Sequence, residues 1–411
     1  MTHAESVGCA SQRRAVVTGV GTVTSLGCGA ERLLDRWLAG ETGIDGGFGR
    51  CADFDPSDFM SRKDVRRTDR FSQLVIGAAR EAVEQAGWTE SPPTEPAAVG
   101  CVIGTGFGGI ETVVEQVGVY SEHGEGRVSP LTIPLMMSNA APGVLALLFG
   151  LKGPAHSIGS ACAAGSDAIG TAARMIAEGR ADAMVAGGSD ACLTPIAIAA
   201  SARAGALSRV GISRPFDARR DGFVLGEGAG VLVLEAAEIA EARGARVLGE
   251  VLGYGASVDA YHLAAPDPSG DGARRAIELA LRDAQLSPAD IDYVNAHGTS
   301  TPLNDRVETK AIKAALGPAA KEIPVSSTKS VIGHLCGGAG AVEAAVTLLA
   351  LRRGVAPPTV GHEEPEEGMD LNYVPGTPQP LRHGAPNNAP IALSNSFGFG
   401  GHNAVICLAA A

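Results

Sequence analysis

The sequence predicts an α/β fold built from two similar halves. Strand and helix patterns alternate along nearly the whole chain, as is typical of sheets covered by helices. An arrangement of strand, helix, strand, glycine-rich turn and helix occurs twice, with no long low-complexity linker between the copies. We therefore expect the halves to pack as one body with a boundary near residue 250, which divides the chain into residues 1–250 and 251–411.

The first half opens with a buried strand that runs into a glycine turn, RRAVVTGVG at 13–21. Residues 74–86 carry apolar side chains at helical spacing, and Gly87 is placed to end that helix. A second buried strand follows in AVGCVIGTG at 98–106. HSIGSACAAG at 156–165 then predicts a strand, a turn of small residues and the start of another helix.

The second half repeats these elements. Residues 272–284 have an apolar helical stripe, and IDYVNAHG at 291–298 is a buried strand that ends in glycine. SSTKSVIGHLCGGAG at 326–340 is a glycine-rich turn that leads into a helix with one apolar face. The likeness between the halves lies in this pattern and not in residue identity.

Composition excludes several classes of protein. The chain has 411 residues, of which 45% are hydrophobic, so it is too apolar to be disordered. A formal charge of −12 disfavours nucleic-acid binding. Eight cysteines without a C-x-x-C pair disfavour a zinc site or a disulfide scaffold. With no apolar N-terminal segment and no stretch long enough to span a membrane, we expect a soluble cytoplasmic protein that binds neither membrane nor metal.

Cys162 is the best candidate nucleophile. It lies between a predicted strand and an amphipathic helix, in a turn of small residues that leaves room for a substrate. The N-terminus of a helix presents unpaired N–H groups and a positive dipole, so we expect the pKa of the Cys162 thiol to be lowered. A lone cysteine of this kind is otherwise most often a small buried core residue.

Two histidines occupy related places in the second half. His297 follows a buried strand, at the strand end where α/β proteins bind ligands. His334 lies in the glycine-flanked turn before the last long helix, five residues after Lys329. Each alone would more often be structural. If they converge on Cys162, both can donate an N–H to a developing oxyanion or move a proton.

Three further segments carry candidate functional residues. NSFGFGGHN places Phe397 and Phe399 between glycines, either as core residues or as a mobile gate near a reaction centre. SRKDVRRTDR concentrates five basic residues in an otherwise acidic protein, either as a solvated helix face or as a dock for an acidic partner. GTGFGG matches a dinucleotide motif but lacks the following acidic strand end, so we interpret it as a close-packed turn.

Four of these segments together resemble the β-ketoacyl-acyl carrier protein synthases, and most closely their type II, elongating branch. The similar segments are SACAAG around Cys162, NAHGTSTPLND around His297, STKSVIGH around Lys329 and His334, and NSFGFGGHN. They occur in the family's order, and the likeness extends from Arg14 to Leu408. The resemblance implies the thiolase fold, a five-layer αβαβα sandwich with the active site between its halves, and usually a homodimer.

The resemblance also implies a role for each matched residue. Cys162 would accept the acyl group, while His297 and His334 would bind the malonyl thioester and assist its decarboxylation. Lys329 would support the histidines electrostatically, with Glu343 as its partner. Thr299 and Thr301 would hold the phosphopantetheine arm. Phe399 would be the gate, its N–H would form an oxyanion hole with the Cys162 N–H, and Phe397 would contact the substrate nearby. Carrier-protein docking would involve Lys63, Arg66 and Arg67.

The implied enzyme is an acyltransferase that joins an acyl group to malonyl-acyl carrier protein and releases CO2. The substrates travel on the phosphopantetheine of acyl carrier protein. No further cofactor is expected, because decarboxylation itself supplies the carbanion.

Three departures bear on pathway and substrate. Phe107 and Ser201 fall where the family commonly has a smaller aliphatic and a bulkier residue, which favours an acyl pocket shaped for short or polar chains. NDRVET at 304–309 is more similar to type II polyketide ketosynthases. The alternative is therefore a polyketide ketosynthase subunit that forms a heterodimer with a chain-length-factor homologue.

Two other interpretations are disfavoured. A chain-length factor itself usually lacks the nucleophilic cysteine, whereas this chain keeps Cys162, His297 and His334. A thiolase would carry a second cysteine in a C-terminal C-x-G pattern, and Cys407 is followed by leucine and alanine.

Overall fold

The computed structural model describes residues 13–88, 92–382 and 389–411. Within these ranges the strands are β1 Ala15–Thr24, β2 Gly27–Cys28, β3 Phe48–Gly49, β4 Val99–Gly104, β5 Ala155–Ile158, β6 Ala183–Asp190, β7 Leu225–Gly226, β8 Gly228–Ala236, β9 Gly249–Val258, β10 Tyr293–Asn295, β11 Val325–Ser326, β12 Val355–Ala356, β13 Gln379–Pro380, β14 Ile391–Gly398 and β15 His402–Ala410. The helices are α1 Ala30–Leu38, α2 Arg62–Val65, α3 Arg70–Gln85, α4 Ile110–His123, α5 Thr132–Met136, α6 Ala140–Phe149, α7 Ala164–Ala177, α8 Pro195–Arg203, α9 Ala237–Ala242, α10 Asp271–Asp283, α11 Pro302–Leu316, α12 Lys329–Ile332 and α13 Ala339–Arg353.

The main strands fall into two sets of five with the same arrangement. The first set has the order β5-β4-β6-β8-β1, and the second has the order β11-β10-β14-β15-β9. In each set the first three strands are parallel, and the last two run antiparallel to their neighbours. The predicted α/β fold with duplicated halves is therefore confirmed.

The two sets meet along one edge. Strands β1 and β9 pair antiparallel over three residue pairs, from Ala15 opposite Val251 to Val17 opposite Gly249. Strand β9 starts the second set, and it begins at Gly249. The division of the chain into separate domains at residue 250 stays a prediction.

Helices form three layers around these strands. Helix α3 packs on β1 and β8, and α10 packs on β9 and β15, so these two helices cover the outer faces. Helices α7 and α13 contact each other and strands of both sets, and α13 is buried from Ala339 to Leu351. The result is the five-layer order helix, sheet, helix, sheet, helix that the family resemblance implies.

Helix α3 shows how the sequence defines an element. Its buried face extends N-terminally to Phe71, beyond the predicted start at residue 74. The Asp69 side chain accepts the Phe71 N–H at 3.2 Å and thereby caps the first turn. Gly87 follows the helix with a φ of +74°, which glycine adopts without steric cost.

Two glycines allow the central layer to approach the sheet closely. A Cβ atom at Gly104, the last residue of β4, would lie 2.2 Å from the backbone of Ala164. A Cβ atom at Gly165 would lie 2.8 Å from the Ala341 backbone nitrogen. Glycine at 104 therefore lets the N-terminus of α7 pack closely on the end of β4, and glycine at 165 lets α7 and α13 approach each other. No helix in the described ranges has the length and apolarity needed to cross a membrane.

Candidate active site

The predicted nucleophile lies on a constrained turn between β5 and α7. Cys162 is the central residue of a 3₁₀ turn, Ala161–Ala163, and its side chain is half-buried. The preceding residue, Ala161, has a φ of +51°, a left-handed conformation that is uncommon for a residue with a Cβ atom. Such strained residues are concentrated at functional sites, where the surrounding packing maintains them.

His334 is in direct contact with the Cys162 thiol. Its Nε2 atom is 3.1 Å from the Cys162 Sγ. The backbone N–H of Cys336 donates to the His334 Nδ1 at 3.3 Å. Because Nδ1 accepts a hydrogen bond, the proton of the neutral ring lies on Nε2, which therefore points an N–H at the sulfur.

His297 completes a pair of imidazoles. Its ring centre is 5.4 Å from that of His334, with the two planes nearly perpendicular at 84°. On its other side the ring lies 5.8 Å from the Phe397 ring. The backbone N–H groups of His297 and Gly298 each donate to the Glu308 carboxylate at 2.7 Å, which fixes the end of β10.

Both imidazoles are kept neutral. Burial lowers the pKa of His297 and of His334 well below the ordinary value, and the positive charge of Lys329 lowers both further. A buried imidazole that remains uncharged at neutral pH donates one N–H without bringing a positive charge into the site. The histidines are thus suited to hydrogen bonding to a substrate oxygen.

Lys329 is buried beside its predicted partner. The Lys329 ammonium forms an ion pair with the Glu343 carboxylate, and both side chains are 1% exposed. Glu343 lies in the first turns of α13, whereas Lys329 begins α12. The partner charge stabilises an ammonium that would otherwise be expensive to bury.

The pKa of the nucleophile differs in direction from the prediction. Burial raises the pKa of the Cys162 thiol to about 12, although the Lys329 charge and a hydrogen bond from the Phe399 N–H act to lower it. The expectation of a lowered pKa is wrong for the resting thiol, because it considered the helix N-terminus and omitted desolvation. The resting thiol is therefore protonated at neutral pH.

The glycine-rich loop after β14 reaches the same sulfur. The backbone N–H of Phe399 faces the Cys162 thiol closely enough to lower its pKa, while the Phe399 side chain is 48% exposed. Gly400 and Gly401 follow with φ values of +82° and +75°, which favour glycine. A backbone donor thus lies beside the nucleophile, on a segment that has few side-chain restraints.

The other predicted site residues lie on further elements of the two halves. Thr299 and Thr301 share a hydrogen bond of 2.9 Å at the start of α11. Phe107 is 43% exposed in the turn after β4, and Ser201 is partly buried on α8. The basic residues Lys63, Arg66 and Arg67 lie exposed on and beside α2.

Two buried carboxylates of this site were not predicted from the sequence. Glu308 accepts the His297 and Gly298 N–H groups and also the Asn395 side chain at 3.1 Å. Asp190 ends β6 and accepts four hydrogen bonds from the turn after β4 and the turn before α13. The strand-end argument used for His297 applies equally to Asp190 and could have identified it.

The arrangement is that of a site for thioester chemistry. One thiol, two neutral imidazoles and one backbone N–H converge around a half-buried space. Such donors stabilise negative charge that develops on a carbonyl oxygen. In the residues that the structure describes, no group of three or more His, Cys, Asp or Glu side chains is placed to hold a metal ion.

Sequence comparisons agree with this chemistry. Residues 39–240 match the family described as beta-ketoacyl synthase, N-terminal domain, and residues 248–363 match its C-terminal domain. The chain is 44% identical to 3-oxoacyl-[acyl-carrier-protein] synthase 2 of Synechocystis sp., over 96% of this chain and 97% of that protein. It is also 44% identical to the protein of the same name from Vibrio cholerae, over 96% and 98%.

Solved structures agree on the fold. The ishigamide ketosynthase/chain length factor superimposes with a TM-score of 0.89 at 35% identity, covering 97% of this chain and 100% of that chain. A ketosynthase described in complex with its type II polyketide synthase acyl-carrier protein and bound to a hexaketide gives 0.87 at 31% identity, with the same coverage.

Proposed function

The chain belongs to the β-ketoacyl synthase family, and from that premise we propose how its own residues perform the reaction of a 3-oxoacyl-acyl carrier protein synthase. The enzyme is an acyltransferase. It joins an acyl group to malonyl-acyl carrier protein, and the products are a β-ketoacyl-acyl carrier protein and CO2. The site residues are assigned below from their contacts.

Acyl transfer is the first step. The Cys162 sulfur attacks the carbonyl carbon of an acyl thioester, the bond to the carrier's sulfur breaks, and the thiol proton leaves with that sulfur. The backbone N–H groups of Phe399 and Cys162 donate to the oxyanion of the tetrahedral intermediate. The Phe399 N–H faces the Cys162 thiol in the resting site, which supports its assignment to this role.

Condensation is the second step. His297 and His334 donate their N–H groups to the carbonyl oxygen of the malonyl thioester, so that the carbon–carbon bond breaks and CO2 leaves with an enolate behind. The enolate carbon attacks the acyl-Cys162 carbonyl, and the Cys162 thiolate departs and takes up a proton. Neutral imidazoles suit this role, because the developing charge is met by two hydrogen bonds.

One observation supports the assignment of Cys162 as the nucleophile. His334 Nε2, from the second half, lies 3.1 Å from Cys162 Sγ, from the first half. The test is mass spectrometry of the intact protein after exposure to a panel of acyl-carrier proteins. We expect one acyl group, located on Cys162, which is then lost on addition of malonyl-carrier protein. An acyl group on another cysteine, or none, would overturn the assignment.

The carrier protein is proposed to dock on α2. Lys63, Arg66 and Arg67 are exposed, and within the described ranges no carboxylate lies in ion-pair distance of them. By contrast, the guanidinium of the nearby Arg70 forms an ion pair with the Glu227 carboxylate at an N–O distance of 2.9 Å. Unpaired basic groups favour an acidic partner and its rate of association.

A dimer is also proposed. Strand β5 is the last strand of its set, and its residues Ala155 and His156 are exposed. An uncovered edge strand invites pairing with another strand. Large apolar side chains on α4 to α6 are exposed on the same half: Val117, Tyr120, Ile133, Met136, Leu147 and Leu148.

A polyketide ketosynthase subunit is the second candidate, favoured by similar structures of ketosynthases with a chain length factor. In that case β5 would meet a non-identical homologue. Light scattering of the purified chain separates the candidates, since a stable homodimer active alone favours fatty acid elongation. A monomer that becomes active only with a chain-length-factor homologue favours the polyketide pathway.

The acyl pocket is proposed to select short or polar chains. Phe107 is a bulky residue in the turn after β4, and Ser201 on α8 is small. Transacylation rates for acyl-carrier proteins of increasing chain length test this. A flat profile up to long saturated chains would contradict it.

A further inference from the structure

Asp190 is a buried carboxylate for which the reaction above has no use. It is the last residue of β6, it is completely buried, and it lies between the turn after β4 and the turn before α13. Its two oxygens together accept four hydrogen bonds, three of them from backbone N–H groups. A carboxylate so saturated with donors holds its neighbours in one geometry, because each donor would be left unpaired if it moved.

Its first group of donors is the β4–α4 turn, residues 105–108. The Thr105 hydroxyl donates to Asp190 Oδ1 at 2.6 Å, and the Phe107 N–H donates to the same oxygen at 3.1 Å. The Gly106 N–H donates to Oδ2 at 2.9 Å. The backbone on which the Phe107 side chain is mounted is therefore fixed by Asp190.

Its other donor belongs to the turn Cys336–Gly338, which follows His334. The Gly337 N–H donates to Asp190 Oδ2 at 2.6 Å. The neighbouring Cys336 N–H is the group that holds His334 Nδ1. A Cβ atom at Gly337 would lie 2.5 Å from the Gly106 nitrogen, so the two turns touch directly above the carboxylate.

We propose that Asp190 is a positioning residue that sets the acyl-pocket turn carrying Phe107 against the turn that orients His334. The inference rests on the proposed function. If it is correct, both acyl-chain selectivity and malonyl decarboxylation depend on the buried Asp190 carboxylate. The carboxylate touches neither substrate nor nucleophile in this role. It acts through two backbones.

The substitution Asp190→Asn separates positioning from general stability. Asparagine has nearly the same shape, but its NH2 group would face N–H groups in place of one accepting oxygen. One of the two turns must then move away, whichever way the amide is oriented. We expect the ratio of transacylation rates for dodecanoyl- and butanoyl-carrier protein to change at least about tenfold, since small misplacements at a reacting site cost up to about 10²-fold.

The matched control is Asp292→Asn. Asp292 is also buried and accepts a backbone N–H, from Ile391 at 2.9 Å, but it lies at the opposite end of the strands. We expect the control to leave the chain-length ratio within twofold of wild type. Malonyl-carrier protein decarboxylation is measured in parallel and should fall at least about tenfold in Asp190→Asn only.

A second variant covers the case in which Asp190→Asn does not fold. Thr105→Val removes the hydroxyl that donates to Asp190 and that accepts the Gly108 N–H at 2.8 Å, and it should shift the chain-length ratio in the same direction by a smaller factor. An unchanged ratio in a folded variant, with all steps slowed equally, would overturn the proposal and leave Asp190 a purely structural residue. Failure of the wild-type chain to acylate Cys162 would instead overturn the proposed function.

Discussion

The two halves of the molecule place the same kind of turn before their central helices and use it differently. Ala161 and Cys336 begin these turns with φ values of +51° and +50°. The next residue is Cys162 in the first half and Gly337 in the second. The first turn presents the Cys162 thiol to His334. In the second turn the equivalent residue, Gly337, has no side chain, and its backbone N–H donates to Asp190.

The difference shows that equivalent turns of a duplicated fold can have different chemical roles. No side chain fits at Gly337, because a Cβ atom there would lie 2.5 Å from the Gly106 nitrogen. The second turn instead supplies the Cys336 N–H that sets the tautomer of His334. One half therefore provides the nucleophile, and the other provides the two imidazole donors. Five predictions test this division.

The largest effect is expected at the nucleophile. Cys162→Ser should lower acyl transfer by at least about 10³-fold while the fold is retained, because the change is nearly isosteric and the hydroxyl is a far weaker nucleophile. Cys336→Ala, on the equivalent turn, is the control and should keep acyl transfer. The measurement is acyl-enzyme formation by mass spectrometry. Equal losses in both variants would break the comparison.

The next effect concerns the donors of the second half. His297→Ala and His334→Ala should each lower malonyl decarboxylation by about 10²- to 10³-fold, as expected when one donor to a developing oxyanion is lost. Acyl transfer should fall less in both. Decarboxylation is followed as CO2 release and acyl transfer as label on Cys162. A wild-type condensation rate in His297→Ala would contradict its role.

The buried ion pair should contribute to stability far more than an exposed one on the same helix. Glu343→Gln leaves the Lys329 ammonium buried without a countercharge, which typically costs about 3–5 kcal/mol. Glu31→Gln removes one partner of the exposed Arg353, so little change is expected. Urea unfolding of both variants measures the difference. Equal midpoints would show that the buried pair has no special importance.

The raised pKa of Cys162 predicts an unusual pH dependence of alkylation. Below its pKa of about 12, the thiolate fraction rises about tenfold for each pH unit. Inactivation by iodoacetamide should therefore accelerate from pH 7 to pH 10 without levelling off. A plateau near pH 7 would instead indicate a thiol activated at rest. Alkylation of the Cys162→Ser variant, followed by mass spectrometry, provides the background rate at the other cysteines.

The smallest effect is expected at the docking patch. Reversing the charge at Lys63, Arg66 and Arg67 should raise the KM for carrier-protein substrates about tenfold and leave kcat nearly unchanged, since surface charges act mainly on encounter. Arg282→Glu on α10 is a control for net charge. An equal rise in KM with an acyl-pantetheine substrate, which has no carrier protein, would refute a docking role.

Much of the site was predictable because its residues lie at defined points of repeated elements. Periodicity identified α3 and α10 to within a few residues, and strand ends placed His297 near a ligand space. The four motifs then identified the family, which the comparisons confirm. Local patterns of this kind are read over short windows and do not need tertiary information.

The remainder depended on contacts between distant segments. The pKa of Cys162 was predicted in the wrong direction, because desolvation by the second half is not visible around residue 162. Asp190 lies at a strand end that could have identified it, but its contact with the second half could not be predicted, because the Gly337 donor is 147 residues away in the chain. Short strands such as β10 also ended earlier than the sequence pattern, which extends over residues 291–298.

The mutual packing of α7 and α13 has a consequence for the integrity of the chain. Each of these helices packs against the other half, so each half alone would expose apolar side chains of its central helix to water. A protease cut within the loop at residues 243–248 would leave two fragments with bare apolar helices. Such fragments should aggregate when separated and regain thioester chemistry only when they fold around each other.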